Sequence, residues 1–383
     1  GFVKYDVYVI PSNIQVTVET PEGEIITQIR HIESSEPNFD QLDYLNNLCR
    51  YVCQHTPDEN EMREKYLEVI NREPQKRITR YAAGIMGGTG FAVFFGCNLR
   101  DAVIAFIVSV MIVAVGDWLA KRESNLLVYN GILAFISEVI IIGALKMGIA
   151  EHPDRIMIGI VMLLISGLST TNGIRDLLQR DFISGFINIM NSFLGAAGIA
   201  FGIGLAIILF HEGYSDHFIL NHSVPIQLLS CTVACTGFAL WFKIRGKQVW
   251  YNSIGAFFTW AIYVAVYAVK PSNFLATMIA AGFVGFYAFI MSRVNKAPST
   301  IFLTASVFPL IPGPNLYYVM YGCVSQDPQL AFDETIVLMA TCLAIAFGFI
   351  IVDVASRSIM HAMKREYHIS KSALNLPLIG GKK

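Results

Sequence analysis

The sequence predicts an all-α polytopic membrane protein of about ten transmembrane helices, arranged as two inverted five-helix repeats behind a small N-terminal α+β cytoplasmic domain. Three observations predict this. The 383 residues are 54% hydrophobic and only 15% charged, more apolar surface than a soluble domain of that length needs. Apolar runs recur from Tyr81 to the region of Arg357 with short polar breaks, each long enough to cross a hydrocarbon core of about 30 Å. A short motif, Leu164-Ile165-Ser166-Gly167, returns as Leu310-Ile311-Pro312-Gly313.

Nothing before Tyr81 is apolar enough to span. Alternation predicts strands over Tyr5 to Ile10, Ile14 to Glu19 and Ile25 to His31, an antiparallel meander turned by Pro11-Ser12-Asn13 and Pro21-Glu22-Gly23. Two helices follow, Phe39 to Gln54 and Pro57 to Arg72, the second opened by Thr56-Pro57-Asp58-Glu59 as a capping box with proline first, and Pro74 closes the unit. The chain opens on Gly1 with no signal-peptide pattern after it, so a missing upstream segment is expected.

Ten spans are expected at 80–97, 101–120, 127–149, 155–172, 186–210, 225–242, 248–269, 274–292, 299–321 and 334–356. If the N-terminal unit is cytoplasmic, Lys121, Arg122, Arg175, Arg180, Lys243, Arg245, Lys247, Arg293 and Lys296 fall in internal loops. The external loops then hold only Arg100, Lys146, Arg155 and Lys270, so both termini are expected on the cytoplasmic side of a cell membrane. The domains are accordingly 1–79, cytoplasmic; 80–210, first membrane half; 211–224, external linker; 225–357, second half; and 358–383, cytoplasmic tail.

At the motif's offset, Asp181 aligns with Asp327 and Phe186 with Phe332, and Ser124-Asn125-Leu126-Leu127 recurs two residues out of register as Ser272-Asn273-Phe274-Leu275. Five spans per half is an odd number, so the second half enters the membrane upside down, the inverted arrangement typical of secondary transporters. Counting from Ile156, Ser166 and Gly167 lie about 15 Å into the core. Pro309, Pro312 and Pro314 flank Gly313 at similar depth, and prolines so crowded break a helix and release carbonyls. Unwound backbone inside a bilayer is tolerated where protein or a cavity satisfies it, so a binding site is expected between the halves.

A half-helix is expected to restart after each break, from Ser169 or Thr170 in one half and with Gly313 as cap and Pro314 as first residue in the other, each offering N–H groups to a carboxylate. Freed carbonyls, hydroxyls of Ser166, Ser169, Thr170 and Thr171 and amides of Asn172 and Asn315 suit an ammonium or hydroxyl group. The chemistry is that of a small zwitterion. The substrate-binding set expected is Ser166, Gly167, Ser169, Thr170, Asn172, Arg175, Pro312, Gly313, Asn315 and Tyr318.

These residues resemble the threonine/serine exporter (ThrE-like) family. Its members carry a run similar to Leu164-Ile-Ser-Gly-Leu-Ser-Thr-Thr-Asn-Gly-Ile-Arg-Asp176, with Asp181 and Ser184-Gly185 after it, and a second run like Phe308-Pro-Leu-Ile-Pro-Gly-Pro-Asn-Leu-Tyr317. The similarity covers nearly the whole chain. It implies export of small neutral amino acids coupled to the proton motive force; two-polypeptide relatives resemble a dicarboxylate exporter instead. The family's upstream His-Gly and Glu-Ser pattern does not occur in this chain, and Ser166 stands where a proline is usual.

Intramembrane carboxylates are functional candidates by default. Glu138, mid-span, ranks first for proton coupling, with Asp176 and Asp117 after it; Asp117, Lys146 and Asp353 sit nearer span ends, where reaching the interface suffices. Gly84 with Gly88 and Gly198 with Gly202 read as close helix packing. The net charge of −1 and the lack of a basic run exclude nucleic acid as a partner. Seven scattered cysteines make neither a disulfide framework nor a metal site, and the His211 to His222 loop lacks tight ligand spacing, so no cofactor or metal is expected. The expected partners are a small solute, protons and the lipid bilayer, with strand edges open to homo-oligomer contacts. Rival readings are a dicarboxylate (succinate-type) exporter, a membrane-embedded hydrolase and a structural or regulatory membrane module; residues 1–74 hold no recognisable catalytic constellation for the hydrolase.

Overall fold

The structure, a computed structural model, describes residues 3–10, 13–32, 37–123, 125–165, 169, 172–173, 176–177, 180–210 and 223–374. Strands β1 (Lys4–Ile10), β2 (Asn13–Glu19) and β3 (Ile25–His31) form the meander, with Val7 opposite Val16 and Val16 opposite Gln28. Tyr5, Val7 and Val9 share one face with Val18, Val16 and Ile14, and the β1 residues of that face stay exposed.

Helix α1 (Phe39–His55) is capped by Asn38, whose side chain accepts from the Gln41 N–H, and ends where Thr56 turns left-handed at φ 44°. Helix α2 (Glu59–Ile70) starts two residues later than the capping box predicts. Asp58 is the cap and takes the Glu61 N–H at 2.7 Å, because Thr56 is already committed to closing α1. The N-terminal unit docks on the chain around residues 240–245 and on Lys296. Phe39 N–H donates to the Phe242 carbonyl, Gln75 to that of Leu240 and Asn46 to that of Lys296; Arg245 reaches the Glu73 carbonyl and Asp40.

The remaining helices are α3 (Arg77–Phe94), α4 (Leu99–Leu119), α5 (Leu126–Lys146), α6 (Pro153–Leu164), α7 (Phe182–Phe210), α8 (Val224–Trp241), α9 (Lys247–Val269), α10 (Asn273–Asn295), α11 (Ser299–Ser306), α12 (Gly313–Val324) and α13 (Pro328–Leu374). Among the described residues, seven stretches are long and apolar enough to cross a membrane alone: α4, α5, α7, α8, α9, α10 and the 328–358 part of α13. Phe186, Phe193, Phe201 and Ile208 on α7 are 60–65% exposed, a placement that suits hydrocarbon and not water.

Small residues set the helix spacing. A Cβ on Gly198 would strike the Leu127 carbonyl, and one on Gly202 that of Gly131, so α7 lies backbone to backbone on α5 as the glycine spacing predicts. α3 meets α8 in the same way, Gly90 against Ala234 and Gly237 against Gly87. The pairing of elements recurs along the chain: α3 with α4, α4 with α5 and α5 with α7, then α8 with α9, α9 with α10 and α10 with α13.

Asp43 is half-buried at the docked face and accepts from Gln248 at 3.0 Å. Burial, then the charge of Asp40, pushes its carboxyl above the ordinary range against the pull of Arg72. A carboxyl raised in the folded state binds protons more readily there, so docking strengthens as pH falls through the raised value toward the unfolded one and weakens as pH rises through it. Hydrogen exchange of α1, corrected for intrinsic rates between about pH 4 and 7, is expected to show protection rising on acidification in the parent chain and a flatter response in Asp43→Asn.

Candidate functional site

The second predicted break is present, and the first, expected at Ser166 and Gly167, lies outside the described residues just beyond a helix end. α6 stops at Leu164, and Ile165 turns to extended backbone at φ −74°, ψ 133°. In the other half α11 stops at Ser306, a 3₁₀ turn covers Phe308–Leu310, and Ile311 takes nearly the same conformation, φ −68°, ψ 126°. α6 starts beside the turn after α3, where Arg155 donates to the Gly96 carbonyl and His152 Nδ1 lies 2.9 Å from the buried Asp101 carboxylate. α11 starts beside Lys296, at the end where the N-terminal unit docks. The two broken helices therefore enter from opposite ends.

They meet at the breaks. Gly313 packs against Met162, and a Cβ there would fall on the Met162 sulfur. Met162, Phe308, Ile311, Tyr317 and Tyr318 belong to one buried cluster. Tyr318 Oη approaches the buried Asp154 carboxylate of α6 at 3.5 Å. On the first break, the Asn130 amide of α5 reaches the Leu164 carbonyl at 3.5 Å and the Gly195 carbonyl at 3.4 Å, tying α5, α6 and α7 together.

The restart of the second half-helix differs from the expected one. Pro312 is the cap and Gly313 the first helical residue. Gly313 N–H is spent on the Ile311 carbonyl at 2.8 Å and Leu316 N–H on that of Pro312, and Pro314 has no N–H. An anion would therefore meet fewer donors here than a free helix N-terminus offers. The carbonyls gain instead: the helical partner of Leu310 would be Pro314, which has nothing to donate.

Asn315 lies on the first turn of α12, and its Nδ2 donates to Glu334 Oε2 of α13 at 2.7 Å. In the first half, Ser169, Asn172 and Asp176 are helical and partly buried, and Asn188 of α7 donates to Asp176 at 3.2 Å. Ser166, Gly167, Thr170, Thr171 and Arg175 lie outside the described residues, as do the His211 to His222 loop and Ser124. Of the coupling candidates, Glu138 is fully buried in α5, eight residues and so about 12 Å along the axis from Asn130. Asp117 is ion-paired to Arg80 at 2.9 Å, at the end near the docked unit, which agrees with its reading as an interfacial group. The three carboxylates occupy three separate places.

A cavity of about 470 Å³ adjoins the second break. Pro309 to Pro312 and Asn315 form one wall, Trp260, Tyr263 and Tyr267 of α9 another, and Thr341 of α13 a third. Val224 and Asn273, at the helix ends away from the docked unit, line its mouth. Trp260 is held by its indole N–H donating to Gln227 at 3.0 Å and by stacking on Tyr263 at 4.6 Å. Sequence reasoning missed Asn130, Asp154, Trp260 and Glu334. An intramembrane asparagine was the readable signal for the first; Glu334 was masked by standing at the edge of its predicted span.

Gly313→Leu is expected to overpack the Met162 contact at a cost of about 1–3 kcal/mol, read as a lower melting temperature in detergent. Adding Met162→Ala is expected to recover about half of the loss, since the two sites share one contact.

Comparison with known proteins gives consistent matches. A family model for threonine/serine exporters, ThrE, matches residues 1–210, and a second, described as threonine/serine exporter, ThrE, matches residues 227–355. The threonine/serine exporter of Corynebacterium glutamicum is 24% identical over 331 residues, 82% of this chain and 67% of that protein. A protein of Mycobacterium tuberculosis named as a probable threonine/serine exporter is 22% identical over 351 residues, 88% of this chain and 65% of its own length. The chain spans about two thirds of the length of both relatives. No solved structure matches it.

Proposed function

The chain belongs to the threonine/serine exporter family, and on that premise we propose that it exports small neutral amino acids, threonine or serine, by alternating access around its two broken helices, driven by protons. The observation that carries this reading is the meeting of two helix breaks, entering from opposite ends, at Met162 and Gly313 beside a cavity. Helices broken at mid-membrane are the usual home of a transporter's substrate.

Ten spans in two inverted halves, 80–210 and 225–357, complete the proposal. The matched dihedrals at Ile165 and Ile311 and the recurring helix pairings support it. α3, long enough but not apolar enough to qualify alone, and the two broken helices make up the count to ten. The N-terminal unit and the C-terminal tail lie on the cytoplasmic side of the cell membrane, as the loop charges favour, and the edges of the exposed sheet are open to pairing between copies.

The substrate's path takes in Ser166, Gly167, Ser169, Thr170, Asn172 and Arg175 at the first break and Pro312, Gly313, Asn315 and Tyr318 at the second. Glu138 is the first choice for proton coupling, as a fully buried carboxyl in the middle of α5; Asp176 and Asp117 rank behind it. No Lys, Arg or His lines the cavity among the described residues, which favours a zwitterion over a dicarboxylate. The proposed role is transport and not catalysis.

Reconstituted vesicles are expected to show counterflow of labelled threonine and serine that follows an imposed pH gradient. Flux of succinate alone, or none from folded protein, would contradict the assignment. Glu138→Gln is expected to keep counterflow while losing most of the response to the gradient, compared at matched protein density.

A further inference from the structure

We infer that the cavity beside the second break is an ammonium subsite, built by Glu334 acting through Asn315. This deepens the transport reading and rests on it for the identity of the physiological solute, but it makes a claim about binding chemistry that stands on its own geometry.

A carboxylate only accepts hydrogen bonds. Glu334 Oε2 takes the Asn315 Nδ2 donor at 2.7 Å, so the amide is fixed with its nitrogen toward the acid and its oxygen left as an acceptor. Asn315 also lines the cavity, together with Leu310, whose carbonyl has proline in place of a helical donor. Two residues that carry neutral acceptors, Asn315 and Leu310, thus line one wall, with the Glu334 carboxyl one hydrogen bond behind Asn315. The Gly313 N–H, the donor an anion would have used, is already spent on Ile311. With no basic side chain among the described lining residues, the electrostatics favour a small cation and disfavour a carboxylate.

The remaining walls fit the rest of such a ligand. Phe94 meets Trp260 edge to face at 4.7 Å, and Trp260, Tyr263 and Tyr267 stack in sequence at 4.6 and 6.1 Å along α9 toward the cavity mouth. Aromatic rings attract cations at their faces and accommodate a short apolar side chain. Thr341 and Thr277 add hydroxyls for a polar one. The ligand class is a primary ammonium on a short carbon chain.

Glu334 is a positioning residue in this scheme, and replacing it has a specific consequence. Glu334→Gln can donate as well as accept, so the Asn315 amide is free to reverse and turn its NH₂ toward the cavity. The test uses saturation-transfer NMR on the purified full chain in detergent, with empty micelles as the blank. L-threoninol, which has the amine and no carboxylate, is compared with lactate, which has the carboxylate and no amine. Threoninol is expected to bind the parent chain and lactate to bind much more weakly; Glu334→Gln is expected to cut threoninol affinity about tenfold, the worth of one charge-assisted contact, and to narrow the preference over lactate.

Equal binding of the two probes by the parent chain, no threoninol signal, or a folded Glu334→Gln chain with unchanged preference overturns the inference. The parent chain's preference needs no variant to fold. Threoninol selectivity in a protein that moves no threonine in vesicles would sustain the subsite and remove the exporter reading, whereas threonine flux without that selectivity would do the reverse.

Discussion

A peptide group inside hydrocarbon must find its hydrogen bond within the protein, and this chain departs from the continuous helix that meets that demand at two places. Ile165 and Ile311 are extended at matching points of the two halves, and the surrounding structure is arranged to make those departures tolerable. Asn130 brings an amide to the Leu164 carbonyl. A 3₁₀ turn and the bond from Gly313 to Ile311 absorb part of the second break. Glycine at 313 lets Met162 close the seam where the two meet.

The N-terminal unit is joined to one part of the helical body and docked on another. It runs directly into α3, yet it docks on the turns that follow α8 and α10, through Phe39 on Phe242, Gln75 on Leu240 and Asn46 on Lys296. Lys296 lies three residues before α11, the helix that leads to the second break. Asp40 sits between Arg72 at 3.1 Å and Arg245 at 3.6 Å, one cation from the unit and one from the membrane half.

Much of this was legible in the residues themselves. The meander strands and both soluble helices fall within two residues of their expected ends, because alternation and capping residues are local signals. The second break was legible because proline chemistry is local too: three prolines between 309 and 314 exclude a continuous helix wherever the segment sits; the first was read only through the motif it shares with the second. What the sequence did not reveal depended on competition between neighbours. Thr56 closes α1 and so cannot cap α2. Gly313's N–H is captured by Ile311 and Pro314 has none to give, so the second break presents fewer donors than expected. Glu334 matters only through Asn315, a contact across two helices that spacing alone does not bring together.

The central claim is that the Met162 and Gly313 seam separates the cavity from the face where the N-terminal unit docks. It is tested most directly by placing one cysteine at Thr341, on the cavity wall, in a chain whose seven native cysteines are replaced, and labelling oriented vesicles with a membrane-impermeant maleimide. Labelling from the face away from the N-terminal unit, slowed by threonine and absent from the other face in the resting protein, is the predicted result. Simultaneous labelling from both faces, unaffected by threonine, would contradict it.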